Sequence, residues 1–113
     1  MSEKDKLNLL TILEAIGKIA KYSAGYRNAD EFYANERDFE ASMMNFVIIG
    51  EMVARLSDKF IEENRQIDWF KIRGFRNIVA HDYFGIDAEE VWQIIQTHLP
   101  KLESDVHAIL NRS

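Results

Sequence analysis

The chain contains no cysteine and a single proline in 113 residues. Without thiols there is no disulfide, no thiolate metal site and no cysteine nucleophile, and the composition fits a cytoplasmic protein. The one proline, Pro100, cannot donate to a helix ladder and fits best in the first turn of a helix segment or at a kink. No run of about 18 apolar residues occurs, so no membrane span is expected. The N-terminus, Met1 to Lys6, mixes charges and lacks the apolar core of a signal peptide. Bases are outnumbered by acids, 14 against 19, for a net charge of −5. That balance argues against a protein that coats nucleic acid by bulk electrostatics.

What is present is the mixture of a globular protein, 47% hydrophobic and 29% charged. A chain this short is expected to form one domain over residues 1–113, since two halves would be too small to bury adequate cores. Leu9, Ile12, Leu13, Ile16, Ile19 and Ala20 repeat at helical spacing over about Lys4 to Tyr22, with Gly25 closing the segment. Asn28-Ala29-Asp30 resembles the cap of a short helix reaching about Asn35. The longest segment, about Arg37 to Glu63, carries Phe39, Met43, Phe46, Val47, Gly50, Val53, Ala54 and Phe60 on one stripe. Within it Gly50 costs about 1 kcal/mol of helix propensity, a cost that close approach of a neighbouring helix would offset. Glu51 and Arg55, four apart, can pair on the surface. Met43 and Met44 suit a core or a subunit contact.

After a polar break at Asn64 to Asp68, helical spacing resumes from Trp69 to Tyr83, with Ile72, Phe75 and Val79 on one side. Asp87 and Glu90 have the spacing of a capping box before Val91, Ile94 and Ile95, and Leu102, Val106, Ile109 and Leu110 carry the stripe onward. No sustained strand alternation or internal repeat is seen. The expected fold is all-α, an antiparallel up-and-down bundle of four main helices plus one or two short ones.

The charge is unevenly spread. Nine acids and four bases lie between Arg27 and Glu63, yet Lys71 to His81 holds Lys71, Arg73 and Arg76 and no acid. A basic patch in an acidic chain suggests a focused anion site. At about 100° per residue, Phe75, Ile78 and Val79 share one side of a helix, and Arg73, Arg76, Asn77 and His81 the other. Asp82 would fall on the apolar side, so the helix is expected to end near His81 and free Tyr83.

Arginine brings a permanent charge and a planar fork of donors that matches phosphate oxygens, and histidine can move protons near neutral pH. The stretch offers neither a carboxylate cluster nor a thiol, so metal-assisted hydrolysis has little support in it. RNA needs neither, because its own 2′-OH can attack the adjacent phosphate. One histidine to exchange the proton and one arginine to hold the charged phosphorane form a sufficient minimal set.

The pattern Arg76-Asn77-x-x-x-His81-x-Tyr83 resembles the Arg-x4-His motif, with its additional tyrosine, of HEPN domains in their HepT-like branch. Ile49-Gly50-Glu51, Trp69, Ile72-Arg73-Gly74-Phe75, Tyr83-Phe84-Gly85-Ile86-Asp87, Val91-Trp92 and Leu99-Pro100 extend the likeness over nearly the whole chain. The resemblance implies a helical bundle that dimerises, with the motifs at a cleft between subunits. It further implies a ribonuclease toxin that needs no metal or other cofactor. Its antitoxin partner would be a minimal nucleotidyltransferase able to transfer AMP to the motif tyrosine. On that basis Arg76 and His81 are catalytic, Asn77 positions them, and Tyr83 is the modified residue. Lys71 and Arg73 are added from charge alone as RNA-phosphate contacts. AMP on Tyr83 would bring negative charge and bulk to the phosphate cleft. Two other readings use the same residues: a non-catalytic module that binds a nucleotide or the nucleotidyltransferase, and a purely structural pairing and capping of the helix end.

Overall fold

Side-chain acceptors in the sequence mark where each helix begins. The computed structural model describes residues 1–78 and 87–112, and those residues are helices joined by short turns. Helix α1 (Glu3–Ser23) starts with the Ser2 hydroxyl accepting the Asp5 amide at 3.0 Å. Asn28 caps α2 (Ala29–Ala34) through the Glu31 amide, as its position suggests. Asn35 ends α2 and caps α3 (Glu36–Ala54) through the Asp38 amide. Each cap satisfies an amide that has no partner within its own helix. No helix among the described residues is long and apolar enough to cross a membrane.

Helices α1 and α3 run antiparallel and contribute much of the core, with Leu9, Ile12, Ile16 and Ile19 of α1 buried together with Met43, Phe46, Ile49 and Val53 of α3. Their ends are tied where the N-terminal turn of α1 meets the chain leaving α3. The buried Asp5 carboxylate accepts the Ser57 amide at 2.9 Å and the Ser57 hydroxyl at 2.6 Å. Nearby, the Asn8 side-chain amide donates to the Arg55 carbonyl at 3.4 Å.

This tie corrects the expectation of one long helix from Arg37 to Glu63. The helix stops at Ala54 and restarts as α4 (Asp58–Glu63), with Ser57 between them as the new cap. The Ser57 hydroxyl donates to Asp5 and is the acceptor for the Phe60 amide at 3.2 Å. Val53 and Phe60 are both buried, so the apolar stripe passes through the break. The Glu51–Arg55 pair does not form: the described residues contain no such ion pair, and Arg55 lies beyond α3 as its C-cap. Met43 is core, whereas Met44 is 60% exposed.

The final helical run starts at α6 (Ala88–Gln93), where the Asp87 carboxylate accepts the Glu90 amide at 3.1 Å. It widens to a π turn at Ile94–His98 and continues as α7 (Leu99–Arg112). Pro100 stands second in α7. Its ring would crowd the carbonyl four residues back and it has no amide to donate, and the wider turn just before it relieves that conflict. Trp92 of α6 packs its ring against Phe32 of α2 at 5.9 Å, which ties the last helices to the first ones.

Candidate active site

The site stretch hangs on three buried aromatic or aliphatic anchors. Helix α5 (Trp69–Arg73) is capped by Asp68, whose carboxylate accepts the Lys71 amide at 3.1 Å. Trp69 is buried, donates its indole N–H to the Asn64 carbonyl at 2.9 Å, and packs against Phe60 at 5.6 Å. Ile72 and Phe75 are buried as well, and Phe75 meets Phe46 of α3 edge-on at 5.3 Å. With Trp69, Ile72 and Phe75 facing the core, Arg73 and Asn77 are exposed and Arg76 is half-buried.

The expected α-helix from Trp69 to Tyr83 is not what forms over its described part. After Arg73 the chain tightens to a 3₁₀ turn at Gly74–Asn77. The Gly74 amide reaches the carbonyls of Phe70, Lys71 and Ile72. A 3₁₀ turn advances about 120° per residue, so side chains three apart eclipse one another. Arg76 therefore stands in line with Arg73, closer in azimuth than an α-helix would bring them. Tight winding brings the directions in which the two side chains leave the backbone closer together.

Helix α3 supplies the seat. A Cβ on Gly50 would fall on the Arg76 amide nitrogen, 2.8 Å from the Arg76 Cβ and 2.9 Å from the Arg73 carbonyl oxygen. No real side-chain carbon tolerates such contacts with backbone. The close approach anticipated at Gly50 is thus made, and the segment that approaches is the one bearing the arginines.

Lys18, Arg27, Arg37, Arg65 and Lys101 each lie within 4.0 Å of a carboxylate, at 3.3, 2.7, 3.6, 2.5 and 3.0 Å respectively. Among the described residues Lys71, Arg73 and Arg76 have no such partner, and neither have Lys4, Lys6, Lys21, Arg55, Lys59 and Arg112. Guanidinium groups with no acid beside them among the described residues, on a fixed backbone, suit an external anion. Lys71 is set apart from the row: it lines a groove of about 260 Å³ with Ile72, Phe75, Ile94, His98 and Lys101. On an α-helix, residues two apart point about 200° apart, which separates Lys71 from Arg73. His81, Asp82 and Tyr83, together with the expected helix end near His81, lie outside the described residues.

The family model for ribonuclease HepT-like proteins matches residues 12–109. The chain belongs to the HepT-like ribonuclease family. It is similar to a Methanocaldococcus jannaschii protein named "Putative RNase", 31% identical over 110 residues that cover 96% of this chain and all of that one. A second protein of that organism, named "Gamma-glutamylcyclotransferase and putative RNase", is 29% identical over 97% of this chain but only 49% of its own length. The chain thus spans about half of that relative. "Probable ribonuclease HepT" of Thermococcus cleftensis is 28% identical over 102 residues, 90% of each chain. No solved structure matches the chain.

Sequence reasoning missed the exposure of Phe70. Its side chain is 86% exposed at the start of α5, although its neighbour Trp69 is buried. The signal was available: Trp69, Ile72 and Phe75 form the inward row at three-residue steps, and Phe70 is apolar but off that row.

Proposed function

We propose that this chain is an endoribonuclease that needs no metal, and that it acts as the toxin of a toxin–antitoxin pair with a minimal nucleotidyltransferase. Arg76 and His81 are its catalytic residues, and Asn77 positions them. In the reaction, His81 takes the 2′-OH proton as the 2′-oxygen attacks the adjacent phosphorus. Arg76 holds the charge that builds on the phosphorane oxygens. The P–O5′ bond breaks and the leaving oxygen takes up a proton, giving a 2′,3′-cyclic phosphate and a 5′-hydroxyl. Arg73, in line with Arg76, contacts a neighbouring phosphate, and Lys71 contributes charge from the other flank of α5. The protein works as a homodimer that doubles this small site across a two-fold axis. Transfer of AMP to Tyr83 by the partner switches it off.

The observation that carries this reading is Arg76 itself: its backbone is seated on Gly50, and among the described residues its guanidinium has no acidic partner. The family assignment supports RNA as the anion. Wild-type protein, Arg76→Ala and His81→Ala are to be compared on total RNA and tRNA in EDTA. Wild type is expected to cleave, and each variant to lose about 100- to 1,000-fold in rate. Equal cleavage by all three would sink the proposal.

The net charge of −5 favours a second reading, a non-catalytic module whose cationic row binds a nucleotide or the nucleotidyltransferase. Tight nucleotide or partner binding with no RNA cleavage would select it.

A further inference from the structure

The most exposed large apolar side chain among the described residues sits at the head of the arginine row. Phe70 is 86% exposed. It stands three residues before Arg73 and six before Arg76. Three residues of α-helix followed by three of 3₁₀ helix separate Phe70 from Arg76 by about 10 Å along the axis. That separation is within reach of a base one or two nucleotides from a phosphate held at Arg76. Beside the ring lies a shallow depression of about 400 Å³, bordered by Ile61, Arg65, Gln66, Ile67, Asp68 and Trp69.

We propose that Phe70 is a stacking platform for an unpaired base of the RNA, and so selects single-stranded substrate next to the Arg73–Arg76 phosphate row. The inference rests on the ribonuclease reading for the identity of the ligand, but its own observations are the exposed ring and the charge beside it. An aromatic face gains by stacking on any nucleobase, and a base inside a duplex has both faces covered already. Gln66, exposed on the rim, offers both a donor and an acceptor to the edge of a stacked base. Charge complementarity selects RNA over an apolar protein surface. No acid occurs from Trp69 to Asn77, and the nearest, Asp68, has an oxygen engaged in capping α5. On the depression's wall Arg65 is paired with Glu62 and the Asp68 carboxylate caps α5, so the wall adds no free cation to compete with the row.

The test is fluorescence anisotropy of a labelled single-stranded oligonucleotide of RNA, with an equal-length RNA duplex as control. Titrations are made in a His81→Ala background to prevent cleavage. Phe70→Ala is expected to weaken single-strand binding about ten-fold, Phe70→Leu as much, and Phe70→Trp to return it to within about two-fold. Duplex binding should be unchanged by all three, as should the melting temperature. Unchanged single-strand binding in Phe70→Ala and Phe70→Leu overturns the inference. So does a Phe70→Leu protein that binds as wild type while Phe70→Ala shifts the sedimentation coefficient, because the ring would then serve a contact between copies of the chain. If the wild-type protein fails to cleave RNA yet binds it through Phe70 in this pattern, the ribonuclease reading falls and the platform stands.

Discussion

Gly50 and Arg76 touch through their backbones: the Cα of one lies where a side chain would strike the amide nitrogen of the other. Residues 26 positions apart are thereby held at a separation that only a missing side chain allows. The contact fixes where the Arg76 Cα sits, and the 3₁₀ turn fixes the direction in which its side chain leaves.

Replacing Gly50 with alanine should therefore damage fold and site together. A methyl group here has no flexible side chain to push aside and must separate two helices, at a cost of about 3 kcal/mol. For a domain of this size that lowers the melting temperature by about 10 °C. Gly17 is the internal control. It is exposed in α1 with nothing within 4 Å of a built Cβ, so Gly17→Ala should stabilise by about 0.5–1 kcal/mol. Opposite signs in thermal melts would establish the contact; two stabilised variants would refute it.

Much of this arrangement was legible in the sequence, and the parts that were not share a physical cause. The caps at Asn28 and Asp87 and the close approach at Gly50 are local or single-residue signals, and they appear where expected. The break before α4 was hidden because Val53 and Phe60 keep the apolar stripe in phase across it. What makes the break is Asp5, 52 residues away, which takes the Ser57 amide and hydroxyl. The 3₁₀ winding at Gly74–Asn77 was hidden for a similar reason: Ile72 and Phe75, three apart, fit either helix. Of the candidate site, Arg73 and Asn77 are exposed and Arg76 is half-buried over Gly50, while Lys71 lines a separate groove. His81 and Tyr83 fall outside the described residues, and their roles rest on the motif.

The split between Arg73 and Lys71 predicts unequal electrostatic contributions to RNA binding. Each phosphate neutralised on a single strand contributes about 0.7 to the slope of log affinity against log salt. Arg73→Ala, which removes a charge from the row, should lower that slope by about this amount. Lys71→Ala, on the opposite flank of α5, should change it by less than half as much. Titrations at several potassium chloride concentrations read both slopes, and equal effects would mean that the RNA wraps α5 rather than following one face.

Asp5 predicts how the fold responds to acid. Burial raises its carboxyl pKa, but hydrogen bonds from the Ser57 hydroxyl and amide and from Ser2 lower it, and the net position is below an ordinary aspartate. A pKa depressed on folding means the unfolded chain binds the proton more tightly. The stabilisation is therefore complete above the unfolded value of about 3.9, and is lost as pH falls through the folded one. Asp5→Ala should cost about 1–2 kcal/mol at pH 7 by leaving the Ser57 amide without its partner. Urea denaturation at a series of pH values should show the gap between variant and wild type closing below pH of about 4. A gap that stays constant into acid would show that the carboxylate charge adds nothing to the clamp.

The proposed switch at Tyr83 can be separated into charge and bulk. Two like charges about 4 Å apart repel by about 1 kcal/mol in water and about 4 kcal/mol near a protein surface. Salt weakens that repulsion, whereas it does not shrink an adenylate group occupying the cleft. Incubation with the nucleotidyltransferase and ATP should add one adenylate to the wild-type chain and abolish RNA cleavage, and a moderate rise in potassium chloride, read against unmodified protein at the same salt, should restore little of it. Tyr83→Phe has no hydroxyl to modify, so it should gain no mass and keep its activity in the same mixture. Intact-mass spectrometry alongside the cleavage assay reads both. A Tyr83→Phe protein that still gains the adenylate would move the modification to another residue. One that stays unmodified but cannot cleave RNA on its own would make Tyr83 part of the catalytic site rather than its brake.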